Sequence, residues 1–194
     1  MTWDEFYKGR LLSEGYRNYV TKRYAPFIGE IMTNMKAGDR VIEIGCGLAT
    51  ITSILAENAG RLLIDEGGES RECFAGFRCF DISPVMVKLA RQNLYEGYPV
   101  DVGDARLPTN RLPDIIHSHG MLEHMSDEDI RAVIEASRKD GARVAIHYVP
   151  GEKYVTPSFG DERLMSLKAW EQICAPTEAY TFNDGYDYVL KWRF

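Results

Sequence analysis

The 194-residue sequence predicts an α/β fold: a doubly wound, mostly parallel seven-stranded sheet that ends in a C-terminal antiparallel β-hairpin. Three observations predict it. Short apolar runs alternate with segments of helical period, the order that builds a parallel sheet covered on both faces. A glycine-rich turn, Gly45-Cys46-Gly47, joins the first such run to the helix after it. The last residues switch to a period of two around Asn183-Asp184-Gly185, which signals a hairpin.

Between residues 3 and 35, apolar side chains recur three or four apart (Trp3, Phe6, Tyr7, Leu11, Leu12, Tyr16, Tyr19, Val20, Tyr24, Phe27, Ile28, Ile31, Met32). That spacing predicts two or three helices divided at Gly15 and Pro26. Lys36 to Asp39 turn the chain into a strand over Arg40 to Ile44, and Thr50 to Asn58 follow as a helix. Residues 59–75 are irregular and read as an insertion. Phe77 to Phe80 form the next strand; Ser83 then caps a helix with Pro84 in its first position, running to about Leu94.

Strands follow at 99–102 and 114–119. Ser126-Asp127-Glu128-Asp129 open a helix through Ile130, Val133 and Ile134 that Gly141 ends. Arg143 to Val149 form a strand, a loop rich in Gly and Pro leads to Asp161, and Ser166 caps another helix. The hairpin pairs 178–182 with 186–194, where Tyr186, Tyr188, Leu190, Trp192 and Phe194 alternate with Asp187, Val189, Lys191 and Arg193. One domain spanning residues 1–194 accommodates all of these elements.

Composition excludes several classes. No apolar stretch is long enough to cross a bilayer, so no membrane partner is expected. Met1-Thr2-Trp3-Asp4-Glu5 lacks the basic start of a secretory signal, which makes the expected location cytoplasmic. Cys46, Cys73, Cys79 and Cys174 form no CxxC pair and read as free thiols, with no metal site expected. A net charge of −6 disfavours nucleic acid, whose backbone demands a basic face.

A turn of this kind aims backbone N–H groups and a helix N-terminus at a ligand. A dinucleotide fingerprint places a small third residue after GxGxx, and Thr50 stands there instead. Glu43-Ile44-Gly45-Cys46-Gly47, with an acid two residues before the first glycine, resembles the first motif of the class I S-adenosylmethionine-dependent methyltransferases. The resemblance extends to Asp81-Ile82-Ser83-Pro84-Val85-Met86 with Ala90 and Asn93 downstream. It continues through Gly103-Asp104-Ala105 before Leu107-Pro108 to Gly120-Met121-Leu122-Glu123-His124.

This resemblance, over residues 40–150, implies a Rossmann-like methyltransferase fold, S-adenosylmethionine as cofactor, and residues 1–35 as a helical lid or cap. It implies cofactor contacts from Glu43, Gly45, Cys46, Gly47, Asp81, Ile82, Asp104, Ala105 and His119. Glu43 would sit near the methionine ammonium, Asp81 would accept from the ribose hydroxyls, and Asp104 from the adenine amino group. Spacing leaves a competitor for the ribose. Such an acid normally follows the glycine turn by about 20 residues; Asp65 does so, whereas Asp81 lies 36 beyond Gly45 but opens the helix that the fold needs.

The histidines lie on or just after the fourth and fifth strands. His119 and His124 fall at the carboxyl end of the sheet, where ligands bind, and are the candidate catalytic bases; His117 and His147 lie deeper and read as core. Glu123 is a candidate contact or a solvated acid. The N-terminal aromatics and the loop with Tyr154, Pro157 and Phe159 are candidate substrate contacts. No Asn/Asp-Pro-Pro-Tyr/Phe or Pro-Cys sequence marks a DNA methyltransferase, which leaves a small-molecule acceptor with an oxygen or nitrogen nucleophile. A noncatalytic cofactor-binding domain and a nicotinamide-dependent oxidoreductase remain as alternatives.

Overall fold

A computed structural model describes residues 14–65, 76–94, 97–158 and 160–194. Trp3, Phe6, Tyr7, Leu11, Leu12, Cys73, Phe159 and the run 66–70 lie outside the described residues, and so do the expectations placed on them.

Two helices come first, α1 (Glu14–Arg23) and α2 (Ala25–Asn34), the second with its proline in the first turn, where a missing N–H costs nothing. The chain continues as β1 (Arg40–Ile44), α3 (Thr50–Asp65), β2 (Gly76–Asp81), α4 (Pro84–Asn93), β3 (Val100–Val102) and β4 (Ile115–His119). A single 3-10 turn (Leu122–His124) leads into α5 (Asp127–Lys139), β5 (Val144–Pro150), α6 (Leu167–Cys174), β6 (Glu178–Phe182) and β7 (Asp187–Arg193). The caps are the serines expected: Ser83, Ser126 and Ser166 accept from the amides of Met86, Asp129 and Ala169. Each such cap is worth about 1 kcal/mol.

The seven strands form one sheet in the order β3-β2-β1-β4-β5-β7-β6. β1 to β5 are mutually parallel, and β7 runs antiparallel to both of its neighbours. Strand order reverses between β1 and β4, so a crevice opens beyond their carboxyl ends, the place where open α/β sheets bind ligands.

Helices cover both faces. Phe27, Ile28 and Ile31 of α2, with Ile51, Ile54 and Leu55 of α3, pack on Val41, Phe77, Ile115 and Ile146. On the other face Ile130 and Val133 of α5 and Trp170 of α6 pack on Ile42, Ile116, Ala145 and Leu190. Fully burying one such side chain stabilises by about 1.5–3 kcal/mol. All seven residues of β5 are buried, which explains its near-continuous apolar run.

One expectation needs correction. The helix after the glycine turn does not stop at Asn58 but continues to Asp65, so the first part of the supposed insertion is helical. The last strand forms as its period of two predicts, and both of its faces are covered, since every residue from Asp187 to Trp192 is buried. The N-terminal helices supply the reason. Lys191 pairs with Glu30 of α2 at 2.8 Å and with Glu178, while Asp187 takes the Arg23 guanidinium from the end of α1 at 2.7 Å.

His117 and His147 are fully buried, as their positions in β4 and β5 suggested. The His147 Nδ1 shares a 2.7 Å hydrogen bond with the Ser118 hydroxyl, and neither ring nitrogen of His117 has a partner among the described residues. Burial pushes both imidazoles down to about 3. In the unfolded chain they titrate near 6.5, so below that pH the unfolded state binds more protons than the folded one. Their stabilisation is therefore complete above pH 6.5 and is lost as pH falls toward 3, at up to ~1.4 kcal/mol per histidine per pH unit. Urea unfolding between pH 7 and 5 should show a steeper loss in the wild type than in His117→Leu. Parallel profiles would mean that His117 is not buried in its neutral form.

Candidate active site

The site begins where β1 runs out. Gly45 and Gly47 have φ of +61° and +51°, left-handed values that a side chain disfavours. A Cβ on Gly45 would lie 2.5 Å from the Met121 sulfur, so the turn is closed to anything larger than glycine. Backbone bonds fix it to β2: the Cys46 amide donates to Phe80 at 3.0 Å and the Gly47 amide to Asp81 Oδ2 at 2.9 Å. Asn93 of α4 donates to the Leu48 carbonyl at 2.7 Å, which gives that distant asparagine its place in the motif.

Asp81 ends β2 and spends its second oxygen on the Ser83 amide at 2.8 Å. It thus buttresses both the glycine turn and the start of α4, and each carboxylate oxygen retains capacity for a second donor. Asp65, the spacing competitor, is the last residue of α3, roughly 20 Å along the helix from Thr50.

Glu43 is buried beneath the turn. Its Oε2 accepts from the Thr52 hydroxyl at 2.6 Å and from the Thr52 amide at 3.2 Å. Desolvation prevails over these bonds and raises the carboxyl to about 7. Thr52 escaped sequence reasoning, because no periodic signal links a threonine inside α3 to an acid on β1.

Asp104, just beyond β3, is held by its neighbour. Arg106 reaches it through Nε at 2.9 Å and Nη2 at 2.7 Å, donates its own amide to Oδ1, and extends Nη1 to Asp129 at 3.0 Å. These bonds keep the Asp104 carboxyl below its ordinary range. Any further donor to Asp104 shares it with Arg106, a residue that the sequence did not single out.

Glu43, Gly45, Cys46, Gly47, Asp81, Ile82, Asp104, Ala105, His119 and His124 all line one cavity of about 350 Å³ at the switch point. Tyr16 and Val20 of α1 line it too, and Arg17 ties that helix to α3 through Ser53 and Glu57. Met121 of the last quoted motif lines it as well, and Met125 and Asp129, which the sequence did not single out as contacts, join from the segment after β4.

The two candidate bases differ. The His119 ring stacks on Tyr148 at 4.5 Å between centroids and meets the edge of Tyr24 at 4.1 Å. Its Nε2 is buried with no partner among the described residues, and burial pushes it down to about 4, so it forms a neutral wall and a weak base. His124 closes the 3-10 turn after β4, where Nδ1 lies 3.0 Å from Asp161 Oδ1. Glu123 is not solvated: it is buried behind Gly120, outside the cavity lining, and raised by burial to about 8.

Tyr154 does not face the cavity either. Its hydroxyl donates to the buried Asp187 at 2.6 Å, beside the hydroxyl of Tyr148 at 2.9 Å, Arg23 and Asn183. Among the described residues no group of three or more His, Cys, Asp or Glu could hold a metal ion, and no helix is long and apolar enough to cross a membrane.

No protein-family model and no curated protein sequence matches the chain. Solved structures are similar to it. The PH0226 protein of Pyrococcus horikoshii OT3 superposes with a TM-score of 0.69 at 16% identity, over 97% of this chain and 98% of that one. Magnesium protoporphyrin IX methyltransferase (ChlM) of Synechocystis PCC 6803, solved with bound S-adenosylhomocysteine, gives a TM-score of 0.60 at 18% identity over 91% and 82%. The small RNA methyltransferase HEN1 gives 0.68 at 13% identity, over 89% of this chain and 25% of that one. With its strand order and terminal hairpin, the chain has the fold of the class I S-adenosylmethionine-dependent methyltransferases. Within that fold the acceptors named for its neighbours range from a small molecule to RNA.

Proposed function

We propose that the protein binds S-adenosylmethionine in this cavity and transfers its methyl group to an oxygen or nitrogen of a small-molecule acceptor. One observation carries the reading: nine residues that the motifs assign to the cofactor, drawn from four separate strand ends, line a single cavity at the switch point. In the proposed arrangement Glu43 faces the ammonium, Asp81 the ribose hydroxyls, and Asp104, shared with Arg106, the adenine amino group. The left-handed glycines let the backbone approach. Helix α1, through Tyr16 and Val20, serves as the described part of the lid over residues 1–35.

Bound there, the cofactor supplies an electrophilic methyl on a sulfonium, a good leaving group. The chain's own task is to hold the acceptor in line, where proximity contributes most of the acceleration. His124 accepts the proton when the acceptor is a hydroxyl. His119, neutral and packed among aromatic rings, shapes the acceptor end instead. The net charge of −6 argues against RNA despite the HEN1 likeness, and so favours a small acceptor.

Calorimetric titration with S-adenosylmethionine, S-adenosylhomocysteine and NADH tests the reading. The first two should bind and NADH should not. Binding of NADH alone would replace the methyltransferase with an oxidoreductase, and no binding at all would refute the cofactor assignment.

The affinity should also depend on pH in a defined direction. Glu43 titrates near 7 in the free protein, and a neighbouring ammonium favours its ionised form. Binding therefore releases a proton at pH 6, and affinity falls by up to about tenfold per unit as pH drops below 7. Titration in buffers of different ionisation enthalpy measures that proton, and Glu43→Gln should abolish its release. Affinity that stays constant from pH 7.5 to 6 would remove Glu43 from the ammonium.

A further inference from the structure

We propose that Asp161 is a positioning residue for His124, carried to it by a loop that Arg163 clamps onto the turn after β4; the proposal rests on the reading of His124 as the proton acceptor in methyl transfer. A carboxylate only accepts, so the 3.0 Å contact between His124 Nδ1 and Asp161 Oδ1 makes Nδ1 the donor. The ring is thereby held in the Nδ1–H tautomer, and the proton taken from an acceptor goes to Nε2. The Asp161 carboxylate is itself held below its ordinary range, first by this bond.

The contact is built rather than incidental. Asp161 comes from the segment between β5 and α6, far from His124 in sequence, and its side chain is 80% exposed. An exposed aspartate on a long loop has no local reason to meet that histidine. Arg163, two residues on, supplies one. Its amide donates to the Glu123 carbonyl at 2.9 Å, its Nη1 to the Met125 carbonyl at 2.7 Å, and its Nη2 to Asp127 at 2.6 Å. These three bonds bracket His124 on both sides in sequence and bind the loop to the turn that carries it. Further along, a bridge between Gly151 and Met165 closes the base of the loop.

The arrangement has a chemical consequence. When the acceptor oxygen forms its bond to the methyl carbon, the carbon–sulfur bond breaks with its electron pair left on sulfur, and the hydroxyl proton passes to His124. The resulting imidazolium faces a carboxylate at Nδ1, which stabilises it as it forms. Loss of the Nε2 proton to solvent then returns the ring to the Nδ1–H tautomer that Asp161 holds.

Nitrogen-15 NMR of the histidine side chains, on the full chain, tests the proposal without any acceptor. In the wild type the Nδ1–H form of His124 should exceed the Nε2–H form by on the order of tenfold, the ratio one charge-assisted hydrogen bond supplies. Asp161→Ala should invert the preference toward Nε2–H, the form free imidazoles favour. Asp161→Asn, whose amide can turn its N–H₂ toward Nδ1 and donate there, should fail to restore Nδ1–H, and Arg163→Ala should reduce it with Asp161 intact. Titration of the same variants with S-adenosylmethionine should give affinities within about twofold of the wild type. An unchanged tautomer in Asp161→Ala would overturn the proposal even if the cofactor binds. Absence of cofactor binding in the wild type would overturn the underlying functional reading, whatever the tautomer.

Discussion

Replacing Gly45 by alanine is expected to abolish S-adenosylmethionine binding while the sheet stays folded. Two costs coincide at this position. The residue has φ of +61°, which costs a residue bearing a Cβ about 1–2 kcal/mol. The added methyl would also lie 2.5 Å from the sulfur and 2.7 Å from Cγ of Met121, which is nearly buried and itself lines the cavity. Either the methionine moves into the ligand's space or the backbone amides of the turn swing away. Both outcomes damage the same site, and a loss of affinity of at least ~100-fold is expected, equivalent to about 3 kcal/mol. Gly38→Ala is the control: its φ is +83°, but a Cβ there meets nothing within 4 Å. It should bear only backbone strain and bind normally. Calorimetry beside circular dichroism of both variants gives the answer. Normal affinity in Gly45→Ala would show that the turn does not cradle the ligand.

Asp187→Ala should produce the largest loss of stability, on the order of 3–5 kcal/mol. The side chain is fully buried at the start of β7 and collects donors from Arg23, Tyr148, Tyr154 and Asn183. Its removal leaves an arginine without its counter-charge and two tyrosine hydroxyls without an acceptor. A buried group abandoned in this way costs far more than its bond contributes when made. For a chain of this size that corresponds to a fall in melting temperature on the order of 10 °C. Thermal and urea unfolding should agree on the ranking. A change below 1 kcal/mol would indicate that water enters the cluster and satisfies the abandoned donors.

The same cluster marks a limit of sequence reading. Asp187 sits on the polar side of an alternating strand, a position ordinarily taken to face solvent, and nothing within several residues of it distinguishes it from a surface acid. Its burial depends on α1 and α2 packing over the hairpin, a contact between opposite ends of the chain. Lys191 is hidden by the same event and paired by Glu30 of α2. Charges that close such long-range gaps leave no periodic trace. The reach of α3 was hidden for a different reason, since Asn58 and Gly60 are residues at which helices commonly end, yet α3 runs through both to Asp65.

Local signals were far more legible. Serine caps, the proline of α4, the valine and isoleucine runs of β1 and β5, and the Asn-Asp-Gly turn each act within a few residues, so the order of elements followed from the chain alone. The glycines and acids at strand ends were legible too, because the backbone of a strand-to-helix turn restricts which residues can stand there. Tertiary structure alone decided which of these residues act together. It placed Asp81 at a strand end and Asp65 at the end of a helix, and it bound Arg106 to Asp129. It also packed His119 among tyrosines and brought Asp161 to His124. The physical reason is common to all four: hydrogen bonding, desolvation and charge pairing act over a few ångströms of space, and the distance between residues along the chain does not enter them.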